Sequence, residues 1–226
     1  MEQRLLDLLR LVVEEYVSTG EPVGSQRLVD ECRLDVSPAT VRNWFAELEK
    51  IGCLMQPHTS GGRIPTEKGF QEYVEAFIQG KPAPKRDHDV LAQMLQVPRQ
   101  DSARLKALAK LLAERSGQAV VVGLERADTF YTGLSQLFSQ PEFKQWQRVV
   151  TLTEILDHLD DVLGALRQTT YDEPRVLLGR ACPFGAICGS VVLSVDGALI
   201  GVLGPLRMNY QHVTSLLISS KQLFSQ

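Results

Sequence analysis

The sequence has no run of apolar residues long enough to cross a membrane. Its longest apolar stretch, around residues 186–206, is broken by Asp196-Gly197 and several further glycines, whereas a membrane helix needs about 20 apolar residues in a row. The N-terminus, Met-Glu-Gln-Arg-Leu-Leu, also lacks the basic start and apolar core of a secretory signal. We therefore expect a cytoplasmic protein that does not contact a membrane.

Cysteine is scarce and shows no metal-binding pattern. None of the four cysteines (Cys32, Cys53, Cys182 and Cys188) belongs to a Cys-x-x-Cys pair. In a cytoplasmic chain we expect such residues to be reduced thiols rather than disulfides or zinc ligands. The sequence also lacks a glycine-rich loop that could cradle a phosphate. We therefore expect no metal and no cofactor.

Positive charge is not in excess either. The formal net charge is −3, and residues 1–73 hold eight lysines and arginines against twelve aspartates and glutamates. Because DNA-binding domains are usually basic, the total charge argues weakly against a nucleic-acid partner. Any DNA-binding site in this chain must depend on where the few cations lie.

A charged, proline-containing segment divides the chain. Residues 80–89 read Gly-Lys-Pro-Ala-Pro-Lys-Arg-Asp-His-Asp, a composition that is typical of a linker. We predict one domain over residues 1–79 and a second over residues 90–226. With 226 residues, of which 44% are hydrophobic, the chain is long enough for two small domains with cores.

The first domain is predicted to begin with two helices. Apolar side chains recur at helical spacing over residues 4–17, and Gly20 ends that helix. Ser25 is predicted to be the N-cap of a short second helix that runs through Cys32.

A third helix, a hairpin and a fourth helix follow. Ser37, which precedes a proline, is predicted to cap a helix that runs to about Ile51. Residues 54–65 indicate a small hairpin with a glycine-containing tip. A fourth helix is predicted to open at Thr66.

The predicted third helix has two faces of opposite character. At about 100° per residue, Val41, Phe45 and Leu48 share an apolar face. Opposite lie two polar and two small residues, Ala39, Asn43, Ala46 and Lys50. Thr40 and Arg42 lie on the flanks near the N-terminal end.

These residue types suit a helix that reads DNA. Small residues allow close approach to the major groove, Asn43 can bond adenine through two hydrogen bonds, and Arg42 can bond guanine or a phosphate. Ser37, Thr40 and the helix N-terminus suit a phosphate. The alternative is an amphipathic helix of an ordinary helical domain, whose polar residues are only solvated.

The hairpin adds positive charge without negative charge. It holds His58, Thr59, Ser60 and Arg63, and no acidic residue occurs between Gln56 and Thr66. We predict that it is a wing, which makes the first domain a winged helix-turn-helix; the alternative is a plain surface turn. The candidate DNA-binding residues are Ser25, Ser37, Thr40, Arg42, Asn43, Lys50, His58, Thr59, Ser60, Arg63 and Lys68.

The second domain is predicted to be α+β with a mostly antiparallel sheet. Hydrophobic periodicity indicates helices over residues 90–95, 102–115, 151–167 and 210–224, and strands over residues 119–124, 128–133, 175–178, 187–195 and 198–203. The pair Asp196-Gly197 favours a tight hairpin between the last two strands.

Isolated polar residues of the second domain are expected to be structural. No motif places a histidine or an acid beside Cys182, so a packed thiol is favoured over a nucleophile. His158 and His212 lie on predicted helices and are expected to be surface or core residues rather than metal ligands. Arg207 is expected to hold a structural carboxylate, with a partner contact as the alternative. We expect no enzymatic activity.

Five segments form longer and more specific motifs. They are Glu21-Pro-Val-Gly-Ser25, Ser37-Pro-Ala-Thr-Val-Arg-Asn43, Gln56-Pro-His-Thr-Ser-Gly-Gly-Arg-Ile-Pro-Thr-Glu-Lys-Gly69, Gly133-Leu-Ser-Gln-Leu-Phe-Ser-Gln-Pro-Glu-Phe143 and Gly201-Val-Leu-Gly-Pro-Leu-Arg-Met-Asn-Tyr210. In this order they resemble the family of heat-inducible transcription repressors named HrcA. The resemblance covers both ends of the chain.

The resemblance implies a function and a second fold. Members of the family are cytoplasmic bacterial repressors that bind, as dimers, an inverted-repeat operator called CIRCE upstream of chaperone genes. A GroEL-type chaperonin keeps them competent, and their second domain has a GAF-like fold. The implied partners are therefore double-stranded operator DNA at the nucleoid, a second copy of the chain and the chaperonin.

The chain departs from the family in one respect that bears on dimerisation. Most members are longer and carry an inserted dimerisation segment, and the stretch between Phe143 and Arg175 is too short to include it. Two other functions stay open. The chain can be a winged-helix regulator whose GAF-like domain senses a small metabolite, or a protein-interaction module that has lost DNA binding.

Overall fold

The computed structural model describes residues 1–57, 61–95, 101–125, 128–143 and 157–225. The chain divides into two compact units, residues 1–78 (unit 1) and residues 79–226 (unit 2).

In unit 1, helices precede and follow a short antiparallel hairpin along the chain. Its elements are α1 (Gln3–Thr19), α2 (Ser25–Cys32), α3 (Pro38–Lys50), β1 (Leu54–Met55), β2 (Ile64–Pro65) and α4 (Glu67–Phe77). Leu54 pairs with Pro65 and Met55 with Ile64. The predicted helices and hairpin of the first domain are confirmed.

The core of unit 1 comes from the apolar faces of its helices. Helix α1 ends at Gly20, whose φ of 72° is a left-handed conformation that glycine adopts without strain. The buried apolar residues of α1, α3 and α4 are Leu5, Leu8, Leu9, Val12, Val13, Val41, Phe45, Leu48, Phe70 and Tyr73. The helical periodicity of the sequence therefore predicts correctly which faces of these helices are buried.

The start of α2 differs from the prediction by one residue. Its N-cap is Gly24, which offers no side-chain hydrogen bond, and Ser25 is the first residue of the helix. The prediction that Ser25 caps α2 is therefore wrong. Glycine is also a favourable N-cap because it reaches the required backbone conformation easily and leaves the first N–H groups accessible to water.

Unit 2 combines helices with a five-stranded sheet. Its elements are α5 (Lys85–Leu95), α6 (Asp101–Ser116), β3 (Ala119–Glu125), β4 (Asp128–Thr132), α7 (Leu134–Ser139), α8 (Leu159–Leu166), β5 (Arg175–Leu178), β6 (Cys188–Val195), β7 (Ala198–Pro205) and α9 (Tyr210–Phe224). Two 3-10 turns lie at Pro141–Phe143 and Gly179–Ala181. Of the helix predicted over residues 151–167, residues 151–156 lie outside the described residues.

The sheet has the strand order β4-β3-β7-β6-β5, and every pair of neighbours in it is antiparallel. Strands β6 and β7 form the predicted tight hairpin. Asp196 and Gly197 adopt φ angles of 50° and 76°, the left-handed conformations that a two-residue hairpin turn of this kind requires. The α+β class with an antiparallel sheet is confirmed for unit 2.

Both faces of the sheet are covered. One face packs on α7, α8 and the turn after α7 through a cluster that includes Val121, Leu137, Phe143, Val192 and Leu203. On the other side, α6 contacts β3 and α9 contacts β6, and α5 packs against both helices. All eight residues of β7 are buried, as expected for a central strand with helices on both faces.

The segment predicted as a linker is shorter than residues 80–89. Helix α5 begins at Lys85, and the Ala83 N–H donates to Ser219 Oγ at 2.8 Å. The Asp87 carboxylate is buried and pairs with Arg115 of α6. Local composition could not reveal this, because the charge that indicated a linker has its partner on another helix.

Candidate nucleic-acid interface

Helix α3 presents a polar face on the surface of unit 1. Val41, Phe45 and Leu48 are at most 2% exposed. The exposed residues of α3 are Ala39, Arg42, Asn43, Ala46 and Lys50. The sequence predicts that they lie opposite this apolar face or on one flank of it. We call these five residues the α3 face. Among the described residues, neither Arg42 nor Lys50 forms an ion pair, so both charges remain accessible.

The N-terminal end of α3 is built as predicted. Ser37 Oγ accepts the Thr40 N–H at 3.1 Å, and the two hydroxyls lie 3.0 Å apart. Pro38 occupies the first turn, where the missing N–H is not needed. Arg42 Nε donates to the Pro38 carbonyl at 3.2 Å, which draws its guanidinium towards the helix N-terminus. Two hydroxyls, a guanidinium and the positive end of the helix dipole therefore meet in an arrangement that suits an anion.

Two glutamates border the α3 face, and both are paired. At about 100° per residue, the face spans about 100° to 200° from Val41, with Glu49 near 80° and Glu47 near 240°. Arg4 of α1 lies 3.2 Å from Glu47 (Nη2 to Oε2), and Arg63 lies 2.9 Å from Glu49 (Nε to Oε1). The acids of α3 are thus compensated from outside the helix, which leaves Arg42 and Lys50 as the charges of the face.

Arg63, one of the candidate DNA-binding residues, has partners within unit 1. Its side chain is only 21% exposed and is held by the carboxylate of Glu49. Its Nη1 donates to the Gly61 carbonyl at 3.2 Å, and its Cζ lies 5.9 Å from the centre of the Phe45 ring. The guanidinium is therefore engaged within unit 1.

Lys68 and Ser25 lie away from the N-terminal end of α3. Lys68 Nζ donates to the Ile51 carbonyl at 2.8 Å, where a cation compensates the negative end of the helix dipole. Ser25 occupies the first turn of α2 and is partly buried. The structure thus brings Ser37, Thr40 and Arg42 together, with Asn43 and Lys50 along the same helix.

The predicted wing-tip residues His58, Thr59 and Ser60 lie outside the described residues. The stem of the hairpin is described, and the segment between its tip and β2 is fixed to another part of unit 1. Val23, which precedes α2, and Arg63 exchange two backbone hydrogen bonds, Val23 N–H to Arg63 O at 2.8 Å and Arg63 N–H to Val23 O at 2.9 Å.

Sequence reasoning missed the residues that join these segments. Arg4, Glu47 and Glu49 carried no local signal, because each pairs with a residue distant along the chain. Trp44 is half-buried, with the Arg4 guanidinium 5.9 Å from its ring centre. The only available hint was that Glu47 and Glu49 flank an otherwise acid-free face.

Comparison with known proteins identifies the family. Residues 66–214, about two thirds of the chain, match the family model described as HrcA protein C terminal domain. The chain belongs to the HrcA family. The match covers α4 and most of unit 2 but not α3.

Curated relatives extend the likeness into unit 1. A protein of Acidothermus cellulolyticus named heat-inducible transcription repressor HrcA is 34% identical over 200 residues, which are 88% of this chain and 58% of that protein. The protein of the same name from Mycolicibacterium gilvum is 34% identical over 181 residues, 80% of this chain and 53% of its own length. The chain thus spans about half the length of these HrcA relatives.

A solved structure has the same fold. The crystal structure of a hypothetical protein at 2.2 Å resolution matches with a TM-score of 0.73 at 16% identity, over 100% of this chain and 99% of that one. At this identity the likeness concerns the fold alone. In the described part of the present HrcA chain, no helix is long and apolar enough to span a membrane.

Within the HrcA-matching region, Cys182 is a packed thiol. It is 5% exposed, and its Sγ lies 3.6 Å from Ser190 Oγ. Burial raises the pKa of Cys182, and this outweighs the lowering by hydrogen bonds to Ser190 and the Phe184 backbone. A protonated, buried thiol is a poor nucleophile, which agrees with the sequence prediction.

The other polar residues weighed in the sequence also have local partners. Arg207 pairs with the carboxylate of Glu142, which is the structural role expected from the sequence. His212 Nε2 lies 3.1 Å from the Arg115 carbonyl. His158 is a surface residue whose Nδ1 lies 3.9 Å from Asp161 Oδ2. The curated relatives are named transcription repressors.

Proposed function

We propose that this HrcA-family chain is a transcription repressor that reads a specific DNA operator with α3. One observation carries the proposal: the α3 face exposes Arg42, Asn43 and Lys50 while the acids at both its borders are paired. A helix that combines small residues, an amide and cations on one exposed face can enter the major groove and bond base edges.

The order of elements supports a winged helix-turn-helix in unit 1. Helices α2 and α3 are joined by a short turn, α3 comes second, and the β1–β2 hairpin follows it. In helix-turn-helix proteins the second helix of the pair lies in the major groove. The hairpin would then be the wing.

The proposed contacts follow from position on α3. Asn43 bonds a base, Arg42 bonds a base or a phosphate, and Ser37 and Thr40 hold a phosphate at the helix N-terminus. Lys50 neutralises a phosphate at the other end of the helix. Phosphate contacts by Ser25, Lys68 and the wing tip, residues 58–60, complete the proposed set.

The family supports the regulatory part of the proposal. The relatives are named heat-inducible transcription repressors. We therefore propose that the chain controls heat-shock chaperone genes and that it acts in the cytoplasm. An inverted-repeat operator of the CIRCE type requires a dimer, because two recognition helices must meet two half-sites about 34–36 Å apart. Unit 2 is the proposed GAF-like regulatory and dimerising part, and a GroEL-type chaperonin is the proposed modulator.

An electrophoretic mobility-shift titration tests the proposal. The full chain is titrated onto a CIRCE inverted-repeat duplex, a duplex with one half-site scrambled, and a fully scrambled duplex at one stated salt concentration. We expect the intact repeat to bind roughly 1,000-fold or more tightly than the scrambled duplex, the lower end for specific DNA binders. Equal affinity for all three duplexes would refute sequence-specific reading, and equal affinity for one and two half-sites would refute the dimer.

A further inference from the structure

We infer that Arg63 is a positioning residue that fixes the hairpin against α3 and acts on DNA binding through Glu49 rather than by touching a phosphate. The effect of Arg63 on DNA binding rests on the proposed function, whereas its role in holding the hairpin rests on its contacts within unit 1. It gives Arg63, a candidate DNA-binding residue in the sequence, an indirect role in DNA binding.

The side chain of Arg63 connects the hairpin to two turns of α3. Its Nε pairs with Glu49 at 2.9 Å, and its guanidinium carbon lies 5.9 Å from the centre of the Phe45 ring. Its Nη1 turns back to the Gly61 carbonyl at 3.2 Å, which also restrains the hairpin's own backbone. Phe45 is a buried core residue, so Arg63 is held by a rigid part of the unit.

The backbone of Arg63 is fixed as firmly as its side chain. Its N–H and carbonyl both bond to Val23, which is 1% exposed. The preceding residue, Gly62, lies so close to this segment that a Cβ at that position would be 2.5 Å from the Val23 carbonyl carbon. The hairpin segment before β2, the segment before α2 and helix α3 therefore meet at Arg63.

Electrostatics favours the same role. Glu49 borders the α3 face, and the Arg63 guanidinium is its ion-pair partner. If Arg63 turned away to a phosphate, it would leave a half-buried carboxylate uncompensated beside the DNA, and that carboxylate would repel the backbone. Keeping the Arg63–Glu49 pair intact both anchors the hairpin and removes this repulsion.

The chain offers a matched control in Arg4, which pairs with the acid on the opposite border. The Arg4–Glu47 pair has the same charge and lies at the same helix, but Arg4 belongs to α1, and its ion pairs are with Glu2 and Glu47, neither of which is a hairpin residue. Substitution of either arginine by methionine removes one positive charge and keeps an unbranched stem. Only the change at Arg63 should loosen the hairpin.

The first measurement needs no DNA. Hydrogen exchange of the full chain should show faster exchange of the Val23 and Arg63 amides in Arg63→Met, and unchanged exchange of the same amides in Arg4→Met. Unchanged exchange in Arg63→Met would overturn the inference whatever the DNA result, because the side chain would then not hold the hairpin.

The second measurement uses operator binding over a range of salt concentrations. Arg63→Met should weaken binding by roughly three- to tenfold, as expected for removal of a half-buried ion pair. Adding Glu49→Gln should restore the part of the affinity that repulsion by the unpaired carboxylate costs, and with it the salt slope of the unmodified chain. If Arg63 instead bound a phosphate directly, its substitution would lower the slope by about 0.9 and would not be rescued by Glu49→Gln; that outcome overturns the inference. If the unmodified chain does not prefer the operator, the proposed function fails, while the exchange result still decides the role of Arg63.

Discussion

Arg207 holds Glu142 by both carboxylate oxygens, and so joins the segment after β7 to the 3-10 turn that follows α7. Nε contacts Oε1, and Nη2 lies 3.3 Å from Oε2. Nη2 also donates to Gln140 Oε1 at 3.0 Å. Both charged side chains are less than a quarter exposed, so the pair is stronger than an ordinary surface salt bridge.

Breaking this pair from one side should destabilise unit 2. We expect Arg207→Met to lower the free energy of unfolding by about 1–3 kcal/mol, because the largely buried Glu142 carboxylate loses this ion pair. Urea denaturation followed by circular dichroism measures the change. The double variant Arg207→Met/Glu142→Gln should lose less than the sum of the single variants. Additive losses would mean that the two residues are not energetically coupled.

The cap of α3 allows its structural and DNA-binding roles to be separated. Ser37→Ala removes the acceptor for the Thr40 N–H and should cost about 0.5–2 kcal/mol of unit 1 stability. Ser37→Asp retains a capping oxygen and should keep that stability, which thermal denaturation can check.

The same two variants should behave differently on DNA. Because Ser37→Asp places a negative charge at the helix N-terminus, it should repel a phosphate and weaken operator binding more than Ser37→Ala does. Fluorescence anisotropy with the operator duplex makes this comparison. If Ser37→Asp binds as well as the unmodified chain, the N-terminus of α3 does not face a phosphate.

Asn43 should determine base choice rather than general affinity. Asn43→Ala should weaken operator binding by about 1–3 kcal/mol and leave binding to a scrambled duplex unchanged, because only the base-edge bonds are removed. The matched control is Gln71→Ala, which removes an exposed amide from α4. An equal loss on both duplexes, or no loss at all, would contradict base reading by Asn43.

Alkaline pH should destabilise unit 2 through Cys188. Burial raises the pKa of Cys188 from 9.0 to about 12, with a further contribution from Cys182. A raised folded-state pKa contributes stability that is complete below the unfolded value, near 9, and is lost as the pH rises towards 12, since only the unfolded chain then releases the proton.

Urea denaturation at about pH 8 and about pH 10.5 tests this linkage. We expect the free energy of unfolding to fall between these pH values, and to fall less in Cys188→Ala. Each variant serves as its own reference at the lower pH, so the small cavity left by alanine cancels. Equal losses in both proteins would show that the Cys188 thiol does not carry this dependence.

Much of the fold could be predicted because its signals are local. The Ser37-Pro38 start of α3, the Asp196-Gly197 turn and the bounds of α9 each follow from a few neighbouring residues, through capping, positive φ and helical periodicity. The amphipathic pattern of α3 likewise gave its buried and exposed faces correctly.

The errors and omissions mostly concern contacts between distant segments. Asp87, near the start of α5, forms an ion pair with Arg115 of α6, and Arg63 forms one with Glu49 of α3. No periodicity encodes which charged side chains will meet once helices pack. The sequence therefore supplied the residues of the candidate site, and tertiary structure decided which of them remain accessible.

The ion pairs that Arg4 and Arg63 form with Glu47 and Glu49 have a kinetic consequence for the DNA binding proposed above. Both cations are neutralised within unit 1, in a segment, residues 1–73, where acidic residues outnumber basic ones. With this balance of charges we expect little attraction of a polyanion beyond the Debye length of about 8 Å. Encounter then proceeds without electrostatic steering, at roughly 10⁵–10⁷ M⁻¹s⁻¹. Operator and other DNA would be distinguished by how long each complex lasts rather than by how quickly it forms.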